Sequence, residues 1–250
     1  MALNLEKIQK NCSYPLTIRT YSCVGSTNDE AKQHALDDFG IVLYAAERQT
    51  AGRGRRGHSF YSPPTGLYMT LSMPVGAIAD VQRMTCAAAV AVCDAITALS
   101  DLEPSVKWVN DIYVGGKKVA GILAELILDG GNRPLRVIVG IGVNLTTADF
   151  PADCAATAGS IGELDASLLC AAVSDHLIRL CGDGGHHYME RYRELNFCIG
   201  QKIAYTDREG EHLAESVGIG DDGSLIVSEN GVIHSLSSGE ISIRPMISTR

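Results

Sequence analysis

The residues most able to do chemistry lie in AGRGRRGHSF, Ala51 to Phe60. Arg48, Arg53, Arg55 and Arg56 crowd into this stretch and its approach, and no Asp or Glu occurs from Arg48 to Ala79. Three chemistries compete for it: a dinucleotide-binding turn, a basic patch for nucleic acid, and an anion-binding loop in an enzyme. The literal G-x-G-x-x-G of Gly52, Gly54 and Gly57 points to the first, which needs a preceding strand, a helix opening from it and an acid about 20 residues on. IVLYAAE supplies the strand. HSFYSPPTG, with two prolines, cannot open a helix, and Asp80 is the first acid available. The dinucleotide reading fails. A nucleic-acid patch is a solvated charge run, whereas these arginines alternate with glycines and meet Phe60 and Tyr61 at once. Glycines let backbone N–H groups approach an anion, and arginines add bidentate charge. The combination favours a loop that handles phosphate, or the charge of a phosphoryl-transfer transition state.

Other polar clusters stand on separate elements. Ser26-Thr27-Asn28 reads as a helix start, KWVND places Lys107, Asn110 and Asp111 at a strand end beside Trp108, and GGKKVAGIL sets Lys118 before a small-residue strand in which Gly121 permits close approach. Three clusters on three elements suit convergence on one ligand. No Ser/His or Cys/His pattern indicates a protein nucleophile. The eight cysteines have no C-x-x-C pair, so they read as small, mostly buried, reduced side chains. His186–His187 has no partner at ligand spacing and reads as surface.

The elements that must position these residues follow from pattern. TIRTYSCVG is a strand, and NDEAKQHALD a helix with acids in its first turn. GLYMTLSM is a strand with alternating apolar residues, and Asp80 to Ser100 a buried helix. SVKWVN, DIYV and KKVAGILAELIL are strands, with a hairpin at Val114-Gly115-Gly116-Lys117. RVIVGIGVNL is a buried strand, Ala148 to Gly162 a loop, and helices fall around Asp165–Cys181 and His186–Glu194. From Asn196 short alternating runs meet at Arg-Glu-Gly, Asp-Asp-Gly and Glu-Asn-Gly turns. The expected architecture is α+β: a central mixed sheet with flanking helices over residues 1–195, then a five-stranded SH3-like β-barrel over 196–250.

At 250 residues the chain has room for one large domain and one small one. A net charge of −8 disfavours a general nucleic-acid binder. No apolar run approaches the roughly 18 residues of a membrane span, and no signal peptide opens the chain, so the expected location is the cytoplasm.

With STND (26–29), ERQTAGRGRRG (47–57), KWVND (107–111), KKVAGIL (117–123), GIGVN (140–144) and GEISIR (239–244) in this order, the chain resembles the biotin protein ligases, or biotin–[acetyl-CoA-carboxylase] ligases. The resemblance covers nearly the whole chain and implies their fold, a class II synthetase-like catalytic domain with a small β domain. It implies activation of biotin by ATP and Mg²⁺ to biotinyl-5′-AMP, then transfer to a lysine of a biotin carboxyl carrier domain. By position, Ser26, Thr27, Asn28 and Gln49 would meet the biotin ring, with Gly52, Arg53 and Gly54 beside them. Arg53, Arg55 and Lys118 would hold carboxylate and phosphates and carry the catalysis, with Gly121 under biotin. Lys107, Asn110, Asp111 and Asn144 would place the nucleotide, and Mg²⁺ would come mainly through the ATP phosphates. Two departures are Val109, where the family commonly has Pro, and Phe60, where Trp is common. STND at residue 26 leaves no room for the helix-turn-helix of bifunctional members, so no specific DNA binding is expected. Homodimers occur in the family, and no pattern here selects one. The alternatives are a lipoate or octanoate ligase or transferase of the same fold, and a ligand-sensing DNA-binding regulator.

Overall fold

The computed structural model describes residues 3–78, 81, 83–182, 187–207, 210–237 and 241–243. After α1 (Leu5–Asn11), strand β1 (Thr17–Tyr21) passes through α2 (Thr27–Gln33) to β2 (Val42–Ala46), which pairs with it in parallel. All further pairings between the named strands are antiparallel. β3 (Gly66–Pro74) lies between β2 and β7 (Pro134–Asn144), and β6 (Lys117–Leu128), β5 (Asp111–Val114) and β4 (Ser105–Lys107) continue the sheet. The order is β1-β2-β3-β7-β6-β5-β4. This is the expected mixed sheet.

Helix α2 packs on one face, against β2, β3 and β7, while α3 (Met84–Leu99) and α4 (Ala166–Gly182) cover the other. That arrangement buries β3 on both faces, although its apolar residues alternate. Alternate residues Leu67, Met69, Leu71 and Met73 enter the main core, and Tyr68, Thr70 and Ser72 between them are buried too. A central strand covered on both faces has no solvent side. Its polar alternates therefore need partners. Arg136 of β7, only 3% exposed, supplies one by donating to Ser72 Oγ (2.7 Å), Ser72 O (2.8 Å), Gly40 O (2.6 Å) and Asp38 O (3.2 Å).

Helix α5 (Tyr188–Leu195) leads to β8 (Lys202–Thr206), β9 (Glu211–Ile219), β10 (Leu225–Glu229), β11 (Val232–Leu236) and β12 (Ile241–Ile243). They form the expected five-stranded antiparallel sheet, ordered β11-β10-β9-β8-β12. One core runs through both parts, since Ile203, Leu225, Val227 and Ile241 join the cluster that holds Trp108 and α3. Buried Trp108 does more than pack: its Nε1 donates to Gly223 O at 2.9 Å, tying the two sheets together. Within GEISIR, Gly239, Glu240 and Arg244 lie outside the described residues, as do Asp80 and His186. Cys86, Cys93, Cys170, Cys181 and Cys198 are buried, while Cys23 is exposed and Cys12 and Cys154 are half-buried. Among the described residues no helix is long and apolar enough to cross a membrane.

Candidate functional site

A cavity of about 370 Å³ opens on the α2 face of the sheet. Ser26, Thr27 and Asn28 reach it from the start of α2, Gln49 from the end of the β2 extension, and Arg53, Gly54, Arg55 and Phe60 from the arginine loop. Lys107, Asn110 and Asp111 come from the β4–β5 corner, and Lys118 and Gly121 from β6. The clusters that looked convergent in sequence do converge.

One end is neutral and buried. Thr27 N and Oγ1 donate to Gln49 Oε1 at 2.8 and 3.2 Å, and Gln49 Nε2 donates to Ser62 Oγ at 3.1 Å. Thr70 Oγ1 lies 2.8 Å from Thr27 Oγ1 and donates to Asn28 Oδ1 at 2.7 Å. Asn28 Nδ2 in turn donates to Glu125 Oε2 at 2.8 Å, and Lys32 Nζ holds the other oxygen of that carboxylate at 2.7 Å. Asn28 thus spends its amide on the protein and serves as a brace. Gly140 makes room for it, because a Cβ there would meet Asn28 Oδ1 at 2.1 Å. Ser26 occupies the N-cap position of α2, yet its hydroxyl makes no capping bond, and the residue lines the cavity.

The other end carries charge. Lys118 Nζ lies 2.7 Å from Asp111 Oδ1, Asn110 Nδ2 donates to the same oxygen at 3.1 Å, and Arg55 Nη1 donates to Asn110 Oδ1 at 3.1 Å. A chain Arg55–Asn110–Asp111–Lys118 therefore crosses the cavity floor. Asn110 is fixed by its Nδ2 bond to Ile122 O (3.1 Å) and by Ile122 N on its carbonyl (3.0 Å). The Trp108–Val109 peptide just before it is cis. Tyr113, cross-strand partner of Lys118, also lines the cavity. Burial first, then the charge of Asp111, pushes its phenol up to about 12, so it remains a neutral hydroxyl.

Between the ends lies the arginine loop, a small hairpin in which Gly54 N donates to His58 O (2.7 Å) and Phe60 N to Gly52 O (2.9 Å). Its Phe60 ring rests on a flat platform made by Gly121 and Gly142, direct partners across β6 and β7. A Cβ on Gly142 would meet Phe60 Cε1 at 2.5 Å. Here the ring, rather than open space, covers Gly121.

Two expected residues stand off the cavity. Gly52 is a packing position, where a Cβ would meet Phe60 O and Ser62 Oγ at 2.4 Å each. Asn144, buried, donates from Nδ2 to Gly159 O at 3.0 Å and anchors the loop that brings Thr157 to the wall. Sequence reasoning missed His58, Ser59, Tyr113, Thr157 and Ile241 as lining residues. Tyr113 was findable, two residues beyond Asp111. Thr157 lies in irregular chain and Ile241 in the distant β12, so neither carried a local signal.

Among the described residues Asp111 is the one carboxylate on the cavity wall, and no group of three or more His, Cys, Asp or Glu is placed to hold a metal ion. A divalent ion would thus have to bring most of its ligands with it, as one on ATP phosphates does.

Comparison with known proteins gives a consistent picture. Residues 23–144 match the model of the biotin/lipoate A/B protein ligase family, and residues 198–244 that of the biotin protein ligase C-terminal domain. The chain is 30% identical over 216 residues to the bifunctional ligase/repressor BirA of Bacillus spizizenii, covering 81% of this chain and 66% of that protein. It thus spans somewhat less than two thirds of that relative's length. It is 38% identical over 128 residues to a biotin–[acetyl-CoA-carboxylase] ligase of Paracoccus denitrificans, covering 49% and 52%. Its fold is similar to that of an Aquifex aeolicus biotin protein ligase solved with biotin and ATP: TM-score 0.77, 23% identity, 91% of this chain and 98% of the other.

Proposed function

The chain belongs to the biotin/lipoate A/B protein ligase family, and on that premise we propose that it is a biotin protein ligase. In this reading it joins biotin to ATP as biotinyl-5′-AMP, releasing pyrophosphate, and passes biotin to a lysine of a carboxyl carrier domain. The observation that carries the reading is one cavity with a neutral hydrogen-bonding end at Ser26, Thr27 and Gln49 and a cationic end at Arg53, Arg55, Lys107 and Lys118. Biotin has that polarity, with a ureido ring at one end and a carboxylate at the other. The Ser26 hydroxyl and the second amide hydrogen of Gln49 suit the ureido group. A lipoyl or octanoyl chain offers no group to satisfy them, which disfavours the alternative substrates.

The chemistry follows from charge. A carboxylate oxygen attacking the α-phosphorus is an anion approaching an anion, so the cations must neutralise both and hold them in line. The P–O bond to pyrophosphate then breaks. Lys118 is the cation best placed at the meeting point, with Arg55 opposite. The Mg²⁺ that accompanies ATP adds positive charge on the phosphates, and Asp111 is the protein carboxylate within reach. In the second step a neutral lysine amine attacks the mixed anhydride, the C–O bond to AMP breaks, and the amine proton leaves. Asp111 is the carboxylate on the wall able to accept it. Closure of the arginine loop and Phe60 keeps water from the anhydride. The reaction needs ATP, which suits a cytoplasmic enzyme.

The test mixes purified protein, biotin, Mg-ATP and a carrier domain, and probes the carrier with streptavidin. ATP-dependent labelling is the expected result; transfer of lipoate or octanoate in its place would overturn the reading.

A further inference from the structure

Ser26-x-x-Asp29 has the pattern of a helix capping box, in which both side chains would turn back onto the helix start. Ser26 makes no such bond, and Asp29 turns to the arginine loop. Arg53 Nε donates to Asp29 Oδ2 at 3.0 Å, and Arg53 Nη2 lies 2.9 Å from the same oxygen. Lys32 Nζ stands 3.9 Å from the other oxygen. Asp29 is not on the cavity wall, whereas Ser26, Thr27 and Asn28 just before it are.

We propose that Asp29 is a positioning residue, a clip that joins the arginine loop to the turn that grips the biotin ring. The proposal rests on the biotin ligase reading. Arg53 and Arg55 reach opposite walls, Arg53 to Asp29 of α2 and Arg55 to Asn110 of the β4–β5 corner, so the loop straddles the cavity as a strap. Phosphates that draw Arg55 from Asn110 leave the Asp29 contact as the tether on the ring side. The clip thereby sets the span between the ring-binding end and the cations, the span a bound biotin must match. Arg53 is 55% exposed and Asp29 37% exposed in their side chains. An exposed pair exchanges readily, as a loop that admits substrate and releases product requires.

The test uses Asp29→Asn and Asp29→Glu in the full chain. In Asp29→Asn we expect the biotin KM, the release of free biotinyl-5′-AMP without acceptor, and trypsin cleavage after Arg55 and Arg56 each to rise about three- to fivefold, the worth of an exposed ion pair. The adenylation kcat should move less, and Asp29→Glu should restore all three. Wild-type retention and cleavage in Asp29→Asn would overturn the clip, as would equal loss in kcat and KM effects that Asp29→Glu does not reverse. Absence of biotinyl-5′-AMP from the wild-type protein would instead strike the biotin ligase reading. The cleavage comparison in ligand-free protein judges the clip in either case.

Discussion

At the Ser26–Gln49 end of the cavity, Thr27, Asn28, Gln49 and Thr70 are hydrogen-bonded to one another behind the wall, with Ser26, Thr27 and Asn28 only 2%, 3% and 4% exposed. At the other end Lys118 and Arg53 keep 33% and 55% of their side chains in solvent, each held by a carboxylate. The difference separates two tasks. A neutral, close-packed network cannot adapt, so under the proposed function it would select a ring by shape and donor pattern without rearranging when the ring arrives. Exposed ion pairs hold their geometry weakly, so Lys118 can leave Asp111 for a phosphate as charge develops, while the Arg53–Asp29 pair can open and re-form as the loop moves.

The sharpest way to break this comparison is Lys118→Ala. If the cationic end works on the transition state, adenylation should fall about 10²–10³-fold, the usual cost of removing one preorganised stabilising group. Stability should hardly change, because a half-exposed pair contributes only about 0–1 kcal/mol. Pyrophosphate release and a thermal melt on the same sample test both parts. Near-normal adenylation with a lowered Tm would make Lys118 a structural residue.

Thr27→Val probes the neutral end with a smaller effect. The change keeps the branched shape and deletes the hydroxyl that contacts Gln49 and Thr70. Leaving buried partners unsatisfied costs about 1–3 kcal/mol. That cost should appear as a raised biotin KM, roughly tenfold or more, with the ATP KM unchanged. Parallel losses for biotin and ATP in substrate titrations would erase the division between the ends.

This division was only half legible in the sequence. The residue types of each end were readable because they lie in short contiguous motifs: Ser26-Thr27-Asn28, the arginine loop, KWVND and Lys118. The strands and helices were readable from their periods. What links them was not. Thr70 reads as one more strand residue, and its place beneath Asn28 depends on α2 packing across β3. Phe60 finds its platform only because β6 and β7 set Gly121 opposite Gly142, a register no local pattern specifies. Arg136, inside an apolar run, looked like a strand end and is instead a buried cation with four hydrogen bonds. Ile241 arrives from another sheet. Local chemistry survives in sequence; juxtaposition is a property of topology.

The smallest effect concerns a cluster of the C-terminal sheet that stands off the cavity wall. There His212 Nδ1 lies 3.1 Å from Glu229 Oε1 and Nε2 lies 2.9 Å from Asp207 Oδ1, with the ring stacked on Tyr205. Hydrogen bonds to Glu229 and then to Asp207 raise the imidazole above its ordinary 6.5, and bonds from Tyr205 and His212 lower Glu229 below 4.5. A raised imidazole stabilises fully below the unfolded value, and the gain is lost as pH rises through the folded one. A lowered carboxylate stabilises fully above its unfolded value, and its gain is lost as pH falls. The contact is therefore complete between the ordinary values of 4.5 and 6.5 and fades on the alkaline side as His212 deprotonates. Melting of the wild-type protein from about pH 6 to about pH 9 should show that decline. His212→Phe, which keeps a ring against Tyr205 without the proton, should flatten it and leave the biotin KM unmoved. A decline of equal size in both proteins would place the sensitive group elsewhere. A KM that followed His212 would show that this cluster is coupled to the cavity through Ile241, the lining residue paired with Tyr205.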